Sequence, residues 1–361
     1  MGRELIVSAS YLKLTSYFTE RQRAGSQFLA ESMLDLFADR GIAASVMLRG
    51  IAGFGHRGFI SSDEKLTLSE DPSVTVEAID IAAKIGDLAD EVTEMTSGGL
   101  VTLQRARLLG GEPVMSPPDG DDEIKLTMYI GRNRRIDGSP AFFTICDLLH
   151  RHHFAGVTVL LGVDGTSHGM RRRAQFFSRN LDVPLKIIAV GSTAHVQQVI
   201  PALAAMPHRP LIATERLRVC KRDGRLLAGP PALPVHDDRG RPLWQKLMVH
   251  TCEATLHDGV PIHRALVRRL SESGATTGAT VLRGVWGFHG DHEPHGDKLI
   301  QFGRQVPVVT IIIDTPERIG RSFGIVDELT GMHGLVTCET VPALMALDDG
   351  VRHGSIDLAD Y

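Results

Sequence analysis

Two short stretches of this chain set an arginine, glycines and an aromatic ring at one spacing. Arg49-Gly50-Ile51-Ala52-Gly53-Phe54-Gly55 reappears as Arg283-Gly284-Val285-Trp286-Gly287-Phe288-His289. Glycine lets a backbone turn tightly and approach a ligand closely, so that its N–H groups can face an anion. Arg49 and Arg283, with Lys65 and Lys298 farther along the same connections, are cations suited to phosphate or carboxylate. Phe54 and Phe288 offer rings on which a base can stack. The same residues have a plainer reading, in which the glycines only permit a turn and the phenylalanines fill a core. A dinucleotide-binding loop is not indicated, because no helix starts there.

A second candidate follows directly. His289-Gly290-Asp291-His292-Glu293-Pro294-His295-Gly296-Asp297 places His289, His292 and His295 at intervals of three among carboxylates. Such a set can wrap a divalent zinc, nickel or copper ion, or it can titrate as a pH-sensitive surface. Its proline and glycines argue against a preformed cage. Arg105 and Arg107 match Arg216 and Arg218, either as ligand contacts or as charged strand edges that block aggregation. His150-Arg151-His152-His153 ends a helix, where cations suit the dipole. The run His168-Gly169-Met170-Arg171-Arg172-Arg173 reads as solvated surface or as an arm that touches a partner. Nucleophile-elbow, Walker and paired-histidine zinc motifs do not occur, so the chain is expected not to be an enzyme.

The elements that must hold these residues are written three times. A worn copy, Leu161-Gly162-Val163-Asp164-Gly165, lies between the two full ones. Pro72, Pro184 and Pro307 follow the leading glycines at nearly constant distance. Lys13-Leu14, Lys125-Leu126 and Lys246-Leu247 open the units, and Gly99-Leu100-Val101-Thr102, Pro210-Leu211-Ile212-Ala213 and Gly334-Leu335-Val336-Thr337 close them. The units occupy residues 1–110, 123–222 and 244–345. Linkers rich in proline, glycine and aspartate fill 111–122 and 223–243, and 346–361 is expected to be a loosely held polar tail.

Within the first unit, Leu12–Phe18 alternates as a strand and Phe28–Phe37 has helical period, with Gly41 as a stop. Ala43–Leu48 and Val74–Ile79 read as strands, Ile81–Met95 as a helix and Leu100–Leu103 as a last strand. The order is β-α-β-β-α-β, the ferredoxin-like arrangement, and it recurs in the other two units. Helices on one face leave the other face of each sheet uncovered. Three such faces can bury one another around a pseudo-threefold axis, giving an α+β single-chain pseudotrimer. The alternative is three beads on a string.

The segment from Leu48 to Gly55, Leu68-Ser69-Glu70-Asp71-Pro72, Asp80 with Lys84-Ile85, and Gly99-Leu100-Val101-Thr102 together resemble the bacterial family called domain of unknown function 190. That family is similar in fold to the PII signalling proteins. The resemblance covers all three units and is weakest in the second. It implies small effectors, often adenine nucleotides, bound in clefts between units. It also implies a long loop between strands two and three that reports to a partner, a membrane transporter among the candidates. Gly53-Phe54-Gly55 matches the PII pattern at the root of that loop, and Gly287-Phe288-His289 matches in part. The glycine-rich phosphate loop of PII proteins has only Met95-Thr96-Ser97-Gly98-Gly99 at its place. The rival readings are a metal-binding or ion-tolerance protein centred on the histidine loop and a ligand-free adaptor.

The bulk numbers agree with a globular chain of several domains. Of 361 residues, 43% are hydrophobic and 23% charged, which suits ordinary cores. A net charge of −4 argues against a general nucleic-acid binder. Four scattered cysteines without a Cys-x-x-Cys pair suit a reducing compartment. With no signal peptide or membrane span read from the sequence, a cytoplasmic protein is expected.

Overall fold

The computed structural model describes residues 10–56, 58–62, 71–109, 123–167, 170–171, 183–290, 294–296, 306–348 and 351–361. The first unit contains β1 (Tyr11–Thr19), α1 (Leu29–Asp39), β2 (Ala44–Phe54), β3 (Ser73–Ile81), α2 (Ala82–Met95) and β4 (Gly99–Leu109). The second contains β5 (Glu123–Gly131), α3 (Ala141–Arg151), β6 (Gly156–Leu161), the short β7 (Thr166–Ser167), β8 (Pro184–Ser192), α4 (Thr193–Ala204) and β9 (Leu211–Arg222). The third contains β10 (Trp244–Cys252), α5 (Ile262–Ser273), β11 (Ala279–His289), β12 (Pro307–Asp314), α6 (Pro316–Thr330) and β13 (Leu335–Val341). Two more strands, β14 (Ala343–Asp348) and β15 (Val351–Ser355), follow.

Local chemistry sets these boundaries. Thr315 caps α6 by accepting from the Arg318 N–H, with Pro316 in the first turn, and Ser192 caps α4 in the same way. Both satisfy N–H groups that a helix start leaves open. Asp80, singled out with Lys84, turns out to be a joint. Its carboxylate accepts from the backbone N–H groups of Ala43 and Ile81 and pairs with Lys84 at 3.3 Å.

In each unit the strands are antiparallel, in the orders β2-β3-β1-β4, β6-β8-β5-β9 and β11-β12-β10-β13. Helix stripes such as Leu29, Met33, Leu34 and Phe37 of α1 are buried against Leu12, Leu14 and Phe18 of β1. Leu126 and Met128 in the second unit, and Leu247 and Val249 in the third, do the same under their own helices. Three separate apolar cores result. A fourth cluster draws Val46, Leu48, Leu160, Ile188, Leu282, Val309 and Ile311 from the opposite faces of all three sheets. That shared core excludes beads on a string.

The expected strand–loop boundary after Leu48 is displaced. Strand β2 continues through the glycine segment to Phe54, and β11 likewise runs to His289. The reason is that each second strand serves two sheets. Residues 44–49 pair with β3, then Gly50–Phe54 pair with the start of β11. Gly284–His289 of β11 pair with β6 in turn. Asp164 and Ser167 of the second unit pair with Met47 and Ala44 of β2. The circuit of second strands is closed.

The last strands make a second circuit. The end of β4 pairs with the start of β9, the end of β9 with β13, and β14 returns to the start of β4. The expectation of a loosely held tail is therefore corrected. β14 pairs with both β4 and β15, and Ala359 is fully buried, with its N–H donating to the Pro342 carbonyl. Arg105 and Arg241 hold Asp360. The segment is retained because it completes the sheet that unit one would otherwise expose.

Candidate functional site

At the strand crossings the glycines are explained by close packing, against the next unit for Gly53, Gly165 and Gly287 and chiefly within their own unit for Gly50, Gly162 and Gly284. A Cβ on Gly50 would lie 2.1 Å from the Ser73 hydroxyl, and one on Gly53 2.5 Å from the Ala279 carbonyl. Gly287, at φ +153°, would bring its Cβ to 2.1 Å from the Val157 carbonyl, and Gly284 is similarly crowded by Pro307. The worn copy keeps the same arrangement: Gly162 abuts Pro184, and Gly165 abuts the Ser45 carbonyl. For Gly162 and Gly284 the glycine–proline spacing is thus a contact between the second and third strands of one unit, whereas Gly50 meets Ser73, the residue after Pro72. Gly55 has open space around it.

Phe54 is buried in the core of the third unit and Phe288 in that of the second. Phe288 lies edge-on to His150, with ring centroids 4.9 Å apart. These rings are wedges driven into the neighbouring unit, so the base-stacking reading gives way to the packing one.

The arginines remain at the surface of the crossings. Arg49 and Arg283 occupy the last rungs within their own sheets, opposite Val74 and Val308, just before each strand changes partner. Arg49 pairs with Glu20 and Arg283 with Glu253. The second unit has Leu161 on the corresponding rung. Its crossing is clamped instead by Arg171, which pairs with Asp164 at 2.7 Å and with Asp35 of α1 in the first unit. The basic run read as an arm therefore contributes at least this one residue to a joint between units.

Lys65, Lys298 and His292 lie outside the described residues. His289 is buried, its Nε2 3.1 Å from the Thr251 carbonyl, and His295 lies on a short strand paired with Gly287. Among the described residues no group of three side chains is placed to hold a metal ion.

The densest chemistry lies where the sequence pointed only to repeat landmarks. Lys13, Lys125 and Lys246, the lysines that open the units, sit opposite Gln104, Glu215 and Glu339 on the last strands. All six are buried. Each lysine also reaches the next unit: Lys13 to Glu215, Lys125 to Glu339 at 2.6 Å, and Lys246 to the side-chain Oε1 of Gln104 at 2.6 Å. Lys125–Glu215 at 3.0 Å, Lys246–Glu339 at 2.8 Å, and a Gln104 amide bond to Glu339 at 3.0 Å complete the ring. Beside it, Lys186 pairs with Glu77 at 2.7 Å, and the Tyr129 hydroxyl donates to the same carboxylate.

Burial disfavours every one of these charges, and the partners decide the outcome. Burial would push Glu77 up, but Lys186, Lys13 and the hydrogen bonds from Lys186 and Tyr129 bring it down to about 2. For Lys13 burial prevails over Glu215 and lowers the ammonium to about 8. Lys125 goes the other way, because Glu215 and Glu339 together overcome its burial. Burial also lowers Lys186 and Lys246, and it raises the phenols of Tyr17 and Tyr129.

A chain of three α/β units, stitched by two circuits of strand pairing around a buried ion-pair ring, is the class of protein that this fold and site define. The family model described as an uncharacterized ACR, domain of unknown function 190, matches residues 11–108, 123–219 and 244–343. The chain belongs to that family, in three tandem copies. A UPF0166 protein of Aquifex aeolicus (strain VF5) is 36% identical over 99 residues, which are 27% of this chain and 90% of that protein. Among solved structures, an aspartate kinase from Synechocystis is 10% identical, aligned over 94% of this chain and 45% of that one, with a TM-score of 0.23. A likeness that low carries no argument. No helix among the described residues is long and apolar enough to cross a membrane.

Proposed function

We propose that this is a PII-like regulatory protein, a cytoplasmic pseudotrimer of three ferredoxin-like units that binds a small effector at its seams. The effector is an adenine nucleotide or another anion, and binding is reported to a partner through the connections that follow the second strands. The reading is regulatory rather than catalytic. The observation that carries it is the strand exchange at the crossings, which sets Arg49 and Arg283 where one unit's second strand enters its neighbour. An anion arriving there competes with Glu20 or Glu253 for the guanidinium. Occupancy is thereby coupled to the strand ends that lead into the connections. The second unit, with Leu161 on that rung, is expected not to bind.

Titration calorimetry with adenine nucleotides, on the intact chain, tests the reading. Binding is expected, with Arg49→Ala and Arg283→Ala each weakening one class of site and the double variant abolishing both. Gly53 is a poor probe, because a side chain there collides with the Ala279 carbonyl. Absence of heat with every nucleotide, or binding untouched by the double variant, would defeat the proposal.

A further inference from the structure

Beside the ion-pair ring, on the side of its lysines, lies a cavity of about 20 Å³. A cavity of roughly 10–15 Å³ in this measure already admits one water-sized species. Lys13, Lys125, Lys186 and Lys246 all line it, and Glu77 is the one carboxylate in its wall. The rest of the lining is Tyr17 and Thr75 of the first unit, Ile188 of the second, and Met248, Leu282 and Ile311 of the third. Apart from Tyr17 every lining residue is buried. The Thr75 hydroxyl has no hydrogen-bond partner among the described residues.

The charge count around this space does not close. Four buried lysines face three buried glutamates, Glu77, Glu215 and Glu339. The shortfall has an address. On the last strands Gln104 stands where the other two units carry Glu215 and Glu339. An uncompensated buried charge costs several kcal/mol, and a neutral water supplies nothing against it. We infer that the axial cavity is a binding site for one small monovalent anion of the halide class, held by the lysine ammonium groups and the Thr75 hydroxyl. It acts as a mobile counter-charge to the ring in place of the carboxylate that Gln104 lacks. The site lies on the axis, away from Arg49 and Arg283, and does not depend on the seams binding an effector.

Crystals of the intact protein grown with bromide replacing chloride test this by anomalous scattering. One bromine peak is expected among the four lysines. Thermal unfolding, followed at constant ionic strength, is expected to rise by about 2 °C per tenfold increase in chloride over gluconate once the site begins to fill. Gln104→Glu supplies the missing charge and is expected to abolish both the peak and the chloride dependence. Should that variant fail to fold, the unaltered chain still decides. A cavity holding water or nothing, with bromide elsewhere or absent and unfolding indifferent to halide, would overturn the inference.

Discussion

The apolar cores under the helices and the charged centre on the axis are equally buried, yet they are built on opposite rules. Under α5, Leu266 and Leu270 meet Leu247 and Val249 with no polar atom to satisfy. On the far face of the same strand, Lys246 is held by Glu339 and Gln104. Apolar packing tolerates loss in proportion to the volume removed. A buried ion network does not, because removing one member strands the others. The ion-pair ring therefore links the three units to one another, while the helical cores make each unit compact.

That contrast is tested most severely at Glu339, which accepts from Lys125, Lys246 and Gln104. Glu339→Leu is expected to cost about 3–5 kcal/mol in urea unfolding, despite adding apolar volume. Leu266→Ala, in the helical core, is expected to cost about 2–4 kcal/mol through its cavity. The telling measurement is the double substitution Glu77→Leu with Lys186→Met, which removes a whole pair. If the axis obeys the network rule, the double variant loses much less than Glu77→Leu alone. Equal losses would mean that the pair is no more than packing.

The two regions also differed in how far the sequence disclosed them. Helical cores announce themselves by period: Leu29, Met33 and Phe37 against Leu12 and Leu14 needed no partner from outside the unit. The element order β-α-β-β-α-β was readable for that reason. The axial face was not, because Lys13, Thr15 and Tyr17 alternate with those leucines in the pattern of a solvent-facing strand. Their partners are distant, as with Lys13 and Glu215, which lie 202 residues apart. The signal available was that all three unit-opening landmarks carried lysine. The glycine segment misled for a related reason. Glycine marks either a turn or a close approach of two backbones, and only the neighbouring unit shows that Gly53 and Gly287 belong to the second kind.

A smaller effect separates the regions in alkali. Lys13 falls to about 8 in the folded protein against an ordinary 10.5. Between those values the unfolded chain binds more protons than the folded one, so stability rises with pH there. The rise is about 3 kcal/mol at most for a displacement of this size. Lys13→Met is expected to flatten that segment of the pH–stability curve, whereas Leu266→Ala shifts the whole curve and leaves its shape. An anion in the axial cavity favours the charged ammonium, so chloride is expected to shrink the alkaline rise relative to gluconate. A rise of one size in both salts would separate Lys13 from any such ion.

The smallest effect on stability is expected at the seams. Arg49 is more than half exposed and Glu20 nearly one-third so, and exposed pairs of this kind contribute about 0–1 kcal/mol. Arg49→Ala should leave urea unfolding almost unchanged while removing nucleotide binding at that crossing. Stability and recognition would then be divided between the axis and the surface. Glu20→Gln sharpens the division, because it frees the same guanidinium without removing it. If the arginine is a ligand contact held in check by Glu20, this variant binds nucleotide more tightly than the unaltered chain. If the arginine merely braces the strand crossing, affinity stays the same in both variants, and the seam joins the axis as architecture alone.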